Sequence, residues 1–231
     1  MRWNTGGVTS PSTRPVLLFD LDGTITDSAP GIHAGFRHAL AAVGHAGPTA
    51  EQLATVVGPP MLDTLRGLPL DDDTAHAALD AYLAYYDSTG WAENSVFPGM
   101  AELLDKVDAA GFRAAVATSK SERFAHRILD HFALAERFEF IGGSSEDGTR
   151  RAKSDVVAHS LRALGVEVAP EATRGALMIG DRHHDVDGAA RWGIPTVLVE
   201  WGYGRPEEAD GAYRAVASPA ELWEVLDDYR C

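Results

Sequence analysis

Short apolar runs alternate with amphipathic helical stretches along most of the chain, and this alternation limits the possible folds more than any other feature. Between the apolar runs, residues such as Phe124, Ile128 and Leu129 recur at helical spacing. Strands that alternate with helices form βαβ units and a parallel sheet. We therefore predict an α/β fold with strands at these positions: 16–19, 112–117, 138–141, 176–179 and 196–199.

A helical segment interrupts this alternation after the first strand. Ile32, Phe36 and Leu40 fall on one helical face, and Leu79, Leu83 and Tyr86 form a second apolar stripe. Gly58-Pro59-Pro60 breaks the segment into at least two helical parts. We predict a parallel-sheet core with a helical insertion, divided as follows: a flexible leader at 1–14, the core at 15–28 and 95–231, and the insertion at 29–94.

The charge balance and the apolar content exclude several classes of function. Lys and Arg number 20 and Asp and Glu 34, so the formal net charge is −14. Such a surface repels nucleic-acid phosphates and anionic lipid, and no run approaches the roughly 20 apolar residues that span a bilayer. The single cysteine, Cys231, suits a reducing compartment. We expect a cytoplasmic protein that binds neither nucleic acid nor membrane.

Polar residues follow three of the predicted strands at the point where each strand ends. Asp20 and Asp22 follow the first strand, Thr118-Ser119-Lys120 follows the second, and Asp181 and Asp185 follow the fourth. Ligands of parallel sheets bind at the carboxyl ends of the strands. Each Asp alone would be read as a turn cap, but several carboxylates that converge need a cation, and Mg²⁺ is the usual one.

Four segments in order resemble the motifs of the haloacid dehalogenase-like (HAD) hydrolase superfamily. They are Asp20-Leu-Asp-Gly-Thr24, Thr118, Lys153 and Gly180-Asp-Arg-His-His-Asp185. The flanking sequence is similar to the phosphoglycolate-phosphatase-like branch, in which some relatives are called 5′-nucleotidases. The resemblance implies a three-layer Rossmann-like core and makes the insertion an α-helical cap.

The resemblance also implies a role for each acidic residue. Asp20 would be the nucleophile and a magnesium ligand. Asp22 would be the general acid and base, with its backbone carbonyl on the metal. Asp181 would hold the same Mg²⁺, and Asp185 would ligate through water or orient Lys153.

The remaining expected contacts concern the phosphoryl group and the substrate. Thr118, Ser119 and Lys153 would bind the phosphoryl oxygens, and Gly23 would support the turn. The candidate substrate contacts are Gly58, Pro59, Arg66 and Lys120, with His33 as a further possibility.

Several of these residues also have a plainer interpretation. Arg66 and His33 are more often ordinary exposed helix residues, and Tyr86 is more often part of a helical core than a stacking platform. His183 and His184 raise the hypothesis that zinc or nickel inhibits by engaging one of them.

The function predicted from these residues is a magnesium-dependent phosphatase of small phosphorylated metabolites, acting through phospho-Asp20 as a monomer or homodimer. Phosphoglycolate-like and nucleoside-monophosphate-like substrates are the leading classes. Two alternatives remain: a sugar-phosphate mutase, and a non-catalytic sensor that holds phosphate on Asp20. A short phosphoenzyme lifetime would favour an enzyme over the sensor.

Overall fold

The computed structural model describes residues 14–170, 173 and 175–229. Most of the predicted leader and Cys231 lie outside these residues. No helix within them is long and apolar enough to cross a membrane.

The strands are β1 Val16–Phe19, β2 Thr26–Asp27, β3 Ser95–Val96, β4 Arg113–Ser121, β5 Phe140–Ser144, β6 Ala176–Gly180, β7 Thr196–Val199 and β8 Arg214–Val216. The α-helices are α1 Ala29–Ala42, α2 Ala50–Thr55, α3 Met61–Arg66, α4 Asp72–Ser88, α5 Met100–Ala109, α6 Glu122–His131, α7 Lys153–Ala163, α8 His183–Ala190 and α9 Pro219–Tyr229.

Six of the described strands form one sheet in the order β5-β4-β1-β6-β7-β8, and every neighbouring pair is parallel. β1 lies inside the sheet between β4 and β6, so the carboxyl ends of these three strands meet at one edge. The register of β4 against β5 shifts between Ala117 and Ser121. Such an irregularity redirects side chains, and here it falls on the predicted phosphate-binding segment.

Alternate residues of β1 face two different cores, as expected for a strand covered on both sides. Leu17 and Phe19 pack with residues of α5, α6 and α9. Val16 and Leu18 pack with residues of α7 and α8 on the other side. The predicted α/β fold, with a parallel sheet between two helical layers, is confirmed.

The helices α1 to α4 form a third core between β2 and β3. Ile32, Phe36 and Leu40 are buried there, as their spacing predicts. On α4, Tyr82 and Tyr86 are buried whereas Leu83 is exposed, so the predicted Leu79–Leu83–Tyr86 stripe is offset from the true one. Gly58-Pro59-Pro60 separates α2 from α3, as predicted. The boundaries of the insertion as an independent domain remain a prediction.

Two predicted strands differ in extent from the structure by more than one residue, and three strands were not predicted. β4 runs to Ser121, four residues beyond the expected end, because the bulged segment after Ala117 stays extended. β5 begins at Phe140 instead of 138. β8 and the β2–β3 pair were missed because they lack an apolar run: only Val216 of β8 is buried.

Leu18→Ala tests the core between the sheet and α7. The side chain is fully buried, so its truncation should lower the free energy of unfolding by about 2–5 kcal/mol. The matched control is Leu83→Ala, because Leu83 is exposed and its truncation should change stability by less than about 0.5 kcal/mol. Urea unfolding followed by circular dichroism measures both, and equal losses would contradict this packing.

Candidate functional site

A tight loop after β1 turns Asp20 and Asp22 into the edge of the sheet. The amide of Asp20 donates to the carbonyl of Ile179 on β6 at 2.8 Å, and the amide of Gly23 donates to the carbonyl of Thr26 at 2.9 Å. Gly23 has a φ of +84°, which residues with a Cβ rarely adopt. The bond from Asp20 joins the first motif directly to β6, the strand that leads into the fourth motif.

Lys153 joins two of the predicted carboxylates. Its Nζ lies 2.8 Å from Asp20 Oδ1 and 2.7 Å from Asp185 Oδ1, and it donates to the Ala117 carbonyl at 2.9 Å. Burial alone would raise the pKa of Asp20, but the Lys153 ammonium and hydrogen bonds from Lys153 and Thr118 hold that pKa below its ordinary value. Asp20 is therefore ionised, as a nucleophile requires.

Asp20, Asp181 and Asp185 form a buried cluster whose carboxylate oxygens lie within 4.8 Å of one another. Burial and the neighbouring charges of Asp185 and Asp20 raise the pKa of Asp181 well above its ordinary value. Its Oδ1 has no hydrogen-bond partner, whereas its Oδ2 accepts from the amide of Tyr203 at 2.7 Å.

These three carboxylates have chemistry that fits a hard divalent cation. Three carboxylates and the single Lys153 ammonium leave two negative charges in a buried space. The unpartnered Oδ1 of Asp181 supplies an oxygen of the type that Mg²⁺ prefers. The cluster could therefore hold a metal ion.

Two backbone segments approach Asp181 so closely that only glycine fits. A Cβ on Gly23 or on Gly202 would overlap the Asp181 side chain, and a Cβ on Gly204 would overlap its carbonyl oxygen. The loop after β7 was not predicted to belong to the site. The signal was present in Trp201-Gly-Tyr-Gly204, where two glycines flank the residue that donates to Asp181.

Asp22 stands apart from the carboxylate cluster and binds a different lysine. Its Oδ2 lies 2.8 Å from Lys120 Nζ, and the same ammonium donates to the Tyr86 hydroxyl at 2.8 Å. Burial would lower the pKa of Lys120, but the charge of Asp22 raises it overall, so Lys120 is protonated. Tyr86 lies on α4, so this lysine links the insertion to Asp22. Nothing local in the sequence predicts that link.

Thr118 and Ser119 lie at the bulged end of β4. Thr118 is buried and its hydroxyl accepts from the amide of Lys120 at 3.2 Å. Ser119 lines the cavity beside Asp22. The structure thus brings both residues to the edge where the carboxylates meet.

The two adjacent histidines point to different surroundings. His183 Nδ1 lies 2.9 Å from Glu208 Oε2 and is exposed. His184 is half-buried, its burial lowers its pKa, and it acts electrostatically on Asp20. Between them and the insertion, Arg182 donates to the Val57 carbonyl at 2.6 Å. The proposal that a histidine engages zinc or nickel remains a hypothesis.

The candidate substrate contacts divide into two groups. Gly58, Pro59 and Lys120 line a cavity of about 540 Å³ between the insertion and the core. Arg66 lies outside that lining and pairs instead with Asp72 at 2.8 Å on the surface. His33 contacts the Leu53 carbonyl at 2.9 Å within the insertion. A contact between Arg66 and the substrate therefore stays a prediction, and the ion-pair partner of Arg66 in the structure is Asp72 at the start of α4.

Comparison with known proteins gives three kinds of match. The sequence model of haloacid dehalogenase-like hydrolases matches residues 17–199. A Mycobacterium tuberculosis protein named Tyrosine-protein kinase PtkA is 49% identical over 222 residues, covering 94% of this chain and 74% of the relative. A Pseudomonas aeruginosa 5′-nucleotidase is 38% identical over 218 residues, covering 93% of this chain and 96% of the relative.

A solved structure agrees with these sequence matches. The crystal structure of a predicted phosphatase from Clostridium acetobutylicum superposes with a TM-score of 0.86 at 37% identity. It covers 93% of this chain and 99% of the other. The likeness therefore extends over the core and the insertion together.

Gly23→Ala tests the close approach to Asp181. Gly111→Ala is the matched control, because Gly111 has a similar φ of +78° with nothing within 4 Å of an added Cβ. The control should lose about 1 kcal/mol of stability from the left-handed backbone alone. Gly23→Ala should lose about 1–3 kcal/mol more, since Asp181 must shift. Equal losses in urea unfolding would contradict the contact.

Asp181→Asn tests the charge balance of the cluster. With EDTA at pH 7 the variant should melt about 2–4 °C higher than the parent. The amide is uncharged, whereas burial and the charges of Asp185 and Asp20 destabilise the ionised carboxylate of the parent and so raise its pKa. With excess MgCl₂ the parent should gain stability and the variant should not. Asp187→Asn, an exposed change on α8, is the control and should behave like the parent. Equal Mg²⁺ stabilisation of parent and variant would contradict a metal site at Asp181.

Proposed function

The chain belongs to the haloacid dehalogenase-like hydrolase family, and we propose that within it the protein is a magnesium-dependent phosphatase of small phosphate monoesters, working through an aspartyl-phosphate on Asp20. One observation carries the proposal: Asp20 is an ionised, buried carboxylate held by Lys153 within a cluster of three carboxylates whose charge one ammonium does not balance. Phosphoglycolate-like and nucleoside-monophosphate-like esters are the candidate substrates.

Three residues would hold the metal: Asp20, Asp181 and, directly or through water, Asp185. The backbone carbonyl of Asp22 is a further candidate ligand by family resemblance. When bound, Mg²⁺ would neutralise charge on the phosphoryl oxygens and on the nucleophile.

In the first step, a free oxygen of Asp20 attacks phosphorus and the bond from phosphorus to the leaving oxygen breaks. Asp22 gives its proton to that oxygen, so an alcohol departs and an aspartyl-phosphate remains. Lys153 and the Thr118 hydroxyl stabilise the negative charge of the group in transfer.

In the second step, water attacks the phosphorus of the aspartyl-phosphate. Asp22, now ionised, takes a proton from the water, and the Asp20 carboxylate departs with the electron pair of its bond to phosphorus. The products are inorganic phosphate and the original enzyme. The Asp22 carboxylate that takes this proton lies 2.8 Å from Lys120 Nζ.

A second candidate is phosphoryl transfer to tyrosine in a protein, which the 49% identity to Tyrosine-protein kinase PtkA favours. The two candidates differ in the acceptor. If the protein is a kinase, γ-labelled ATP with a tyrosine peptide will give labelled peptide. If it is the proposed phosphatase, the peptide stays unlabelled and phosphate monoesters release inorganic phosphate.

Asp20→Asn should reduce phosphate release by at least about 10³-fold, because the amide cannot act as the nucleophile. The assay is magnesium-dependent phosphate release from a panel of nucleotides, sugar phosphates and phosphoglycolate. Asp130→Asn, an exposed change on α6, is the control and should retain full activity. Near-normal turnover of Asp20→Asn, with intact circular dichroism, would refute the assignment of the nucleophile.

A further inference from the structure

The cavity between the insertion and the core is lined in part by Asp22, the residue proposed to protonate the leaving group. Asp22 lines it together with Ser119 and Lys120. The leaving oxygen must come within hydrogen-bond reach of Asp22. The rest of the leaving group therefore extends into this cavity, and the cavity wall selects its chemistry.

The wall formed by α4 of the insertion and by Phe124 of α6 is apolar and partly aromatic. Tyr82 and Tyr86 stack with ring centroids 5.5 Å apart, and Phe124 meets Tyr86 edge-on at 4.9 Å. Leu79 and Leu83 lie on the same helix and line the cavity beside these rings. Leu83 is one of the few large apolar side chains that the described residues leave exposed, so it is available to cover a ligand.

The positive charges around the cavity already have carboxylate partners. Lys120 pairs with Asp22 at 2.8 Å. Arg123 pairs with Asp87 and with Glu146, each at 2.8 Å. The third cation, Arg151, binds Asp63 at 2.9 Å. Among the described lining residues, no cation is therefore free to bind a carboxylate on the substrate.

From this wall we infer that the leaving group is an uncharged alcohol of nucleoside size that carries a flat ring. The inference rests on the proposed function and chooses between its two substrate classes. A cavity of about 540 Å³ is within the usual range for ligands of that size. A two-carbon acid would fill little of it, and its carboxylate would face apolar side chains without a free cation.

The experiment compares three esters under saturating MgCl₂: a nucleoside 5′-monophosphate, ribose 5-phosphate and phosphoglycolate. Ribose 5-phosphate carries the same phosphoester without the base, so it isolates the contribution of the ring. We expect kcat/KM for the nucleotide to exceed the other two values by at least about tenfold. A value for ribose 5-phosphate or phosphoglycolate that equals or exceeds the nucleotide value would overturn the inference and leave the phosphatase proposal standing.

A pair of variants on α4 locates the ring. Leu83→Asp puts a charge on the cavity wall and should lower the nucleotide kcat/KM by about tenfold, with little change for ribose 5-phosphate. Ala84→Asp puts the same charge at an exposed neighbour outside the lining and should match the parent. Both positions are exposed, so both variants should fold. An equal response of the two variants would contradict the placement.

Isothermal titration separates this inference from the proposed chemistry. Adenosine and ribose, which have no phosphate, are titrated into the parent protein. If adenosine binds and Leu83→Asp weakens that binding, the inference is supported, even if no ester is hydrolysed. The lack of hydrolysis would then refute only the phosphatase proposal. If no ester is hydrolysed and adenosine binds no better than ribose, both proposals fail.

Discussion

Three buried carboxylates lie together beside one ammonium group that binds only two of them, and the arrangement of this edge of the sheet depends on that imbalance of charge. Asp20 follows β1, Asp181 follows β6, and these strands are neighbours, so the parallel sheet itself forces the two side chains together. Lys153 enters from the first turn of α7 and compensates only part of the charge. A carboxylate cluster of this kind is costly without a cation, which explains why the fold and the proposed metal chemistry are inseparable.

The two acids of the first motif have different partners, and this difference supports their different proposed roles. Asp20 is held ionised by Lys153 within the metal cluster. Asp22 lies outside the cluster, pairs with Lys120, and lines the cavity where a leaving group would sit. The Tyr86 hydroxyl joins that lysine to the insertion. The position of α4 is therefore coupled to the orientation of the proposed acid.

Much of this site could be predicted from the sequence because strand ends are local features. An apolar run followed by Asp20, and another followed by Asp181, indicate where each chain segment leaves the sheet. The contact between Lys120 and Tyr86 could not be predicted, because it joins elements 34 residues apart whose relative orientation depends on packing. That Leu79 and Leu83 line a cavity could not be predicted, since periodicity marks an apolar face without saying what covers it.

Whether phosphate passes through the carboxylate of Asp20 is measured by trapping the phosphorylated protein. The protein is mixed with substrate and Mg²⁺, quenched in acid within the first turnover, digested and mapped by mass spectrometry. The account predicts one phosphoryl group on the peptide that contains Asp20. A phosphoryl group on a histidine, serine, threonine or tyrosine peptide instead, or turnover with no phosphorylated peptide at any time point, would contradict it.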